Sequence, residues 1–207
     1  MTLIIAAKSL DGICFAYDTK VQLFDGTTNK GKGEIHNPKL VPLPGRNDIV
    51  LGWAGQLIGQ IDKLYDEVAD AVKEVSSEGK SDVKRDKILE YIAARRARNL
   101  STRSGRREGM GFMFGITDGI NVRAYVTNEV PTSCQEIKVC AAMGIVRDRK
   151  TIRNLTDKYF SCTDSVYSGV KVLAWLNEVM EEELKENELL AGKGSCILTP
   201  KGYLKIS

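Results

Sequence analysis

Thr2 and Asp18 are the residues near the start of this chain whose types could do chemistry together. A threonine hydroxyl is a poor nucleophile until a base takes its proton, and a free N-terminal amine, with a pKa of about 8, is close enough to neutrality to serve as that base. Thr2 would offer hydroxyl and amine on one residue once Met1 is removed. With Met1 attached the amine is an amide and the base is gone.

Local structure decides whether Asp18 can reach Thr2. The apolar runs Leu3-Ile4-Ile5-Ala6-Ala7 and Ile13-Cys14-Phe15-Ala16-Tyr17 flank a polar break that ends in Asp11-Gly12. Asp-Gly favours the positive-φ turn of a β-hairpin. Antiparallel strands of equal length return their far ends to the same sheet edge. A hairpin here therefore sets the threonine hydroxyl beside the Asp18 carboxylate.

The rest of the chain must hold that hairpin. A length of 207 residues suits one domain with a real core. The net charge of +3 is too small to argue for nucleic acid or for an acidic substrate. The one dense basic run, Arg95 to Arg107, has no interleaved aromatics and reads as the solvated end of a helix and its loop. Cys14, Cys134, Cys140, Cys162 and Cys196 have irregular spacing and read as reduced core thiols of a cytoplasmic protein. There is no leader-like segment, and no apolar stretch approaches the ~20 residues that span a bilayer. No membrane association, metal or cofactor is expected.

In chain order, the glycine-rich stretch Val21 to Pro38 reads as a long loop. Lys39 to Leu43 and Ile49 to Gly55 form a second hairpin. Three- and four-residue apolar spacing predicts helices over Leu57 to Val75 and Asp82 to Ala97, the second with a stripe of Val83, Ile88, Ile92 and Ala93. Strands follow at 111–115 and 121–127, then one at Gln135 to Met143. Helices are expected at Asp148 to Phe160 and at Asp164 to Glu186, the latter burying Val166, Val170, Leu173, Leu176 and Met180. A hairpin of Ser195 to Thr199 and Tyr203 to Ile206 closes the chain. Blocks of strands alternating with helix pairs argue for an α+β protein.

The threonine start, Ile13-Cys14-Phe15-Ala16-Tyr17-Asp18-Thr19-Lys20, Lys39-Leu40-Val41-Pro42-Leu43 and Gly52-Trp53-Ala54-Gly55 together resemble the proteasome β-subunit family of N-terminal nucleophile (Ntn) hydrolases, with this chain a divergent member. The resemblance implies a four-layer αββα sandwich of two antiparallel sheets flanked by helix pairs. It also implies a threonine peptidase or amidase that acts on peptide or protein through an acyl-enzyme. Catalysis would fall to Thr2, Asp18 and Lys39, with Lys39 keeping the local potential positive and Asp18 fixing it. The Gly55 N–H would donate to the oxyanion. Val21, Gln22, Trp53 and Leu57 would line the substrate pocket, where Trp53 at the floor would favour small side chains; the alternative is that Trp53 packs into the sheet core. Family members form rings, so a homo-oligomeric ring is expected, with room for an ATPase or ring partner.

The chain also departs from that pattern. Two supporting serines are replaced by Met143 and Ala191, and an aspartate by Glu188. The segment between Asp18 and Lys39 is longer, which leaves Lys30 and Lys32 as alternatives for the active-site lysine. Such a site poor in water-positioning groups would also suit transpeptidation, in which an amine captures the acyl-enzyme. A non-catalytic ring or scaffold subunit is the reading of another class.

Overall fold

The opening hairpin forms where the sequence predicts it. β1 (Leu3–Lys8) and β2 (Ile13–Asp18) pair antiparallel, with Ile4 opposite Tyr17 and Lys8 opposite Ile13. Gly12, at φ +145°, closes the turn, and a Cβ there would lie 2.0 Å from the Leu198 carbonyl oxygen, so only glycine fits. The computed structural model describes residues 2–24, 31–55, 61–100, 110–127, 134–144, 157, 167–188 and 190–206. Among these it is α+β, with three sheets and three helices.

The remaining strands are β3 (Lys20–Phe24), β4 (Gly31–His36), β5 (Leu40–Pro42), β6 (Ile49–Gly55), β7 (Met110–Thr117), β8 (Val122–Thr127), β9 (Cys134–Glu136), β10 (Cys140–Gly144), β11 (Lys193–Thr199) and β12 (Gly202–Lys205). The first five-stranded sheet runs β10-β1-β2-β11-β12 and the second β5-β6-β7-β8-β9, while β3 and β4 pair with each other. Strand alternation makes both large sheets two-faced. Ile4, Ala6, Phe15 and Tyr17 from the first sheet meet Leu40, Val50, Ala54 and Met113 from the second in one core. The other face of the first sheet, including Leu3, Ile5, Cys14 and Ala16, packs against helix α3 (Gly169–Glu186) through Val172, Leu176 and Met180. The other face of the second sheet, including Leu51, Trp53 and Phe114, packs against α1 (Ile61–Val72) and α2 (Ser81–Leu100) through Leu64, Val68, Ile88 and Ile92.

Several expectations are corrected. Val21 to Pro38 contains the β3–β4 hairpin, because Val21, Leu23 and Ile35 supply strand residues between the glycines; Val21 pairs with Ile35. Gln135 to Met143 is two strands, because the chain leaves one sheet for the other. Ile137 donates to Ala124 of the second sheet, and Val139 accepts from Lys8 of the first. In α3, Leu173, Leu176 and Met180 are buried as expected and are joined by Val172 and Val179, whereas Val170 is 81% exposed and Val166 lies outside the described residues. In α2, Val83 is exposed and Lys84 is buried in its stead. The helix expected at Asp148 to Phe160 lies outside the described residues, apart from Asp157. No described helix is long and apolar enough to cross a membrane.

Candidate active site

Asp18 ends β2 and is completely buried, at 0% exposure. Its Oδ1 accepts the Leu3 backbone N–H at 2.6 Å, and its Oδ2 accepts Lys39 Nζ, also at 2.6 Å. The carboxylate thus bridges the residue after Thr2 and a lysine that is itself buried at 1% exposure. Lys39 immediately precedes β5, whose pairing with β6 fixes where it enters the site. Asp18's partner is therefore Lys39; Lys30 lies outside the described residues, as does the side chain of Lys32.

Burial dominates the electrostatics of this pair. It pushes the Asp18 carboxyl above its ordinary range, against the pull of Lys39 and of the Leu3 N–H. It pushes the Lys39 ammonium below its ordinary range, against the pull of Asp18. In each group the loss of hydration by the charged form is the largest effect and exceeds the opposing pull.

Thr2 is buried at the head of β1. Alternation along β1 gives it the same side as Ile4 and Ala6, facing the space between the two large sheets. Across the edge, Gly144 pairs with Leu3, and a Cβ on Gly144 would lie 1.8 Å from the Thr2 carbonyl oxygen. The φ of +119° there also favours glycine, so the strand end can press against Thr2.

Gly55 lies at the matching edge of the second sheet. Gly115, opposite Val50, lies against Phe15, which is opposite Ala6. Gly111, opposite Ala54, lies against Met143, which is opposite Ile4. Moving from Val50 to Ala54 along β6 therefore moves from Ala6 toward Thr2 along β1, and Gly55 ends β6 at the Thr2 end.

The expected pocket is corrected at Trp53. Its neighbours Gly52 and Ala54 face the other sheet, so its indole points the opposite way, into the core under α1 and α2, at 5% exposure. The preference for small side chains that Trp53 was to impose goes with it. Val21 is half-buried in β3, whereas the side chain of Gln22 and all of Leu57 lie outside the described residues. Met143 sits in the core between the large sheets, beside Gly111, and Ala191 contributes its backbone carbonyl. Of the basic run, Arg95 has a described side chain, and it bonds to Glu67 and Tyr91 between the helices.

Sequence reasoning passed over Thr19 and His36. Thr19 Oγ1 meets His36 Nδ1 at 2.9 Å, and its backbone N–H donates to the Ala191 carbonyl at 3.1 Å. The available signal was that His36 is the one histidine in the chain. Burial raises the Cys14 thiol to about 11 and raises Cys134 and Cys196 as well, which disfavours the reactive thiolate at these three positions. Among the described residues no group of three or more His, Cys, Asp or Glu side chains is placed to hold a metal ion.

No family model matches the chain, and no curated protein matches it. Among solved structures, the chain is similar to a mutant of Anbu from Hyphomicrobium sp. strain MC1, with a TM-score of 0.68 and 14% identity, covering 100% of this chain and 87% of that one. The resemblance to the proteasome β-subunit family is corrected by these findings. Short motifs of turn glycines and apolar strands carried it, and no family model bears it out. The likeness to Anbu is one of fold.

Proposed function

We propose that the chain is an N-terminal-threonine amide hydrolase, a threonine peptidase or amidase that forms an acyl-enzyme, built as one domain over residues 1–207 in a four-layer αββα arrangement. The observation that carries this reading is the buried Asp18 carboxylate joined to Lys39 and to the N–H of the residue after Thr2.

Once Met1 is gone, the Thr2 amine takes the proton from its own Oγ1, and the oxygen attacks the amide carbon. The Gly55 N–H donates to the oxyanion that forms, a contact worth about 2.7–4 kcal/mol. Collapse expels the amine, which leaves with the proton, and water then cleaves the Thr2 ester. Lys39 keeps the local potential positive, which favours a neutral amine and a developing alkoxide, and Asp18 fixes Lys39. Peptide or protein is the substrate, the setting is the cytoplasm, and the active form is a homo-oligomeric ring, which light scattering in solution would check.

The apolar Met143 and Ala191 favour a second outcome on the same site, capture of the acyl group by an amine instead of water. Incubation of Met1-free protein with a fluorogenic peptide panel, with and without an added amine, tests both. Hydrolysis or transfer lost in Thr2→Ala supports the reading; turnover retained in Thr2→Ala, or none in the parent protein, removes it.

A further inference from the structure

Asp18 and Lys39 lie on different segments of the chain, and the contacts that seat those segments set how the pair meets. Three segments meet at Thr19. Its N–H donates to the carbonyls of Ala191 at 3.1 Å and Gly192 at 3.2 Å. Its carbonyl accepts the Asn37 N–H at 2.9 Å. Its hydroxyl lies 2.9 Å from His36 Nδ1 and donates toward the Ala191 carbonyl at 3.3 Å. Gly192, at φ +62°, closes the knot so tightly that a Cβ there would sit 2.2 Å from Thr19 Oγ1 and 3.1 Å from His36 Nδ1.

The placement of this knot gives it consequence. Thr19 follows Asp18, and His36 and Asn37 lead into Lys39. The same contacts seat the entry to β11, which pairs with β2 through Lys193 and Asp18. One residue thus ties the exit of the aspartate strand to the approach of the lysine and to the segment that carries Glu188 and Ala191.

We propose that Thr19 and His36 are positioning residues for the Asp18–Lys39 pair, acting through a hydroxyl–imidazole bond that sets how the carboxylate meets the Leu3 N–H and the ammonium. This rests on the function proposed above. Because the backbone bonds of Thr19 do not use side-chain atoms, the proposal concerns the hydroxyl and the imidazole alone. The imidazole can be replaced by another group with a polar atom near the Nδ1 position, and the threonine by serine.

Two readouts separate failure of this inference from failure of the function. The first is amide hydrogen exchange of Leu3, whose N–H reports the Asp18 carboxylate whether or not the protein turns over substrate. The second is the rate of covalent labelling of Met1-free protein by a β-lactone, split into initial affinity and inactivation rate. Thr19→Val and His36→Leu are expected to speed Leu3 exchange and slow inactivation by roughly ten-fold or more, with affinity unchanged, while Thr19→Ser and His36→Asn restore both. Leu3 exchange unchanged in both Thr19→Val and His36→Leu would overturn the proposal, as would serine and asparagine failing to restore what valine and leucine remove. If the parent protein takes no label, the function fails while the exchange data still decide the positioning. His36 is exposed, so His36→Leu keeps the test open if Thr19→Val does not fold.

Discussion

Asp48 and Asp18 are both buried aspartates bonded to a buried lysine, and their surroundings differ. Asp48 accepts from Lys84 at 2.7 Å and from two nitrogens of Arg46, each at 2.7 Å. Lys84 Nζ also donates to the carbonyls of Ser77 at 2.6 Å and Thr117 at 2.7 Å. Arg46 reaches back to the carbonyls of Val72 and Val75 at the end of α1. Burial pushes the Asp48 carboxyl up, but the bonds from Arg46 and Lys84 together outweigh it and leave the group below its ordinary range. At Asp18 burial wins over Lys39 and the Leu3 N–H, and the group lies above its ordinary range.

Two cations on one carboxylate, with carbonyls filling the other lysine protons, make a joint that ties the turn before β6 to both helices. At Asp18, beside Thr2, burial outweighs the contacts from Lys39 and the Leu3 N–H. A buried ion pair is weak evidence for stability and better evidence for chemistry when desolvation remains partly uncompensated.

The sharpest way to break this comparison is to remove each lysine. Lys39→Met should lower kcat/KM by about 10²–10⁴-fold, as loss of an essential charge partner does. Its cost in stability should be smaller than that of Lys84→Met, because burial already raises the Asp18 carboxyl and so lowers the cost of leaving it protonated. Lys84→Met should do the reverse. It strands the Ser77 and Thr117 carbonyls and half of Asp48's compensation, and should cost about 3–5 kcal/mol in urea unfolding with activity per folded molecule unchanged. Equal stability losses in the two variants would end the distinction.

Acid titration sharpens it. Asp48 is lower in the folded state than unfolded, so its contribution is full above the unfolded carboxyl pKa of about 3.9 and is lost as pH falls through the lower folded value. Asp18 is higher in the folded state, so folding takes up its proton between the unfolded value and the raised one, and stability falls as pH rises through that window. Unfolding curves of Asp48→Asn should converge on wild type in strong acid, whereas Asp18→Asn should remove a slope of the opposite sign. Slopes of the same sign at both positions would show that Asp18 is as well compensated as Asp48.

The smallest effect is expected at Trp53. Its indole Nε1 is buried without a hydrogen-bond partner, so Trp53→Phe removes an unsatisfied donor as well as packing. Unfolding should shift by about 1 kcal/mol, and kcat/KM for every peptide in a panel should stay within about two-fold, a factor worth ~0.4 kcal/mol. A selective change in substrate preference would return Trp53 to the pocket.

What was legible in the sequence follows from how local each signal is. The opening hairpin, Asp18 at its end and the β5–β6 hairpin after Lys39 are carried by apolar runs and turn dipeptides a few residues apart. β3 and β4 were hidden because glycine spacing outweighed their few strand residues. The split of β9 from β10 was hidden because apolar character does not record which sheet a strand joins. Lys84 could not be found, since a lysine in a helix reads as solvated until Asp48 arrives from a distant turn. Trp53 was misplaced because strand alternation fixes only that it opposes Ala54, while which face meets the helices is a tertiary fact.

If the proposed function holds, Thr2 is an unmasked nucleophile. Intact-mass spectrometry of protein made in cells, before and after exposure to a β-lactone, tests it in one measurement on the parent chain and Thr2→Ala. The expected result is loss of Met1 and a single covalent adduct that maps to Thr2 and is absent from Thr2→Ala. Met1 retained with no adduct, or an adduct that persists in Thr2→Ala, would contradict it and leave the Asp18–Lys39 pair as part of a non-catalytic subunit.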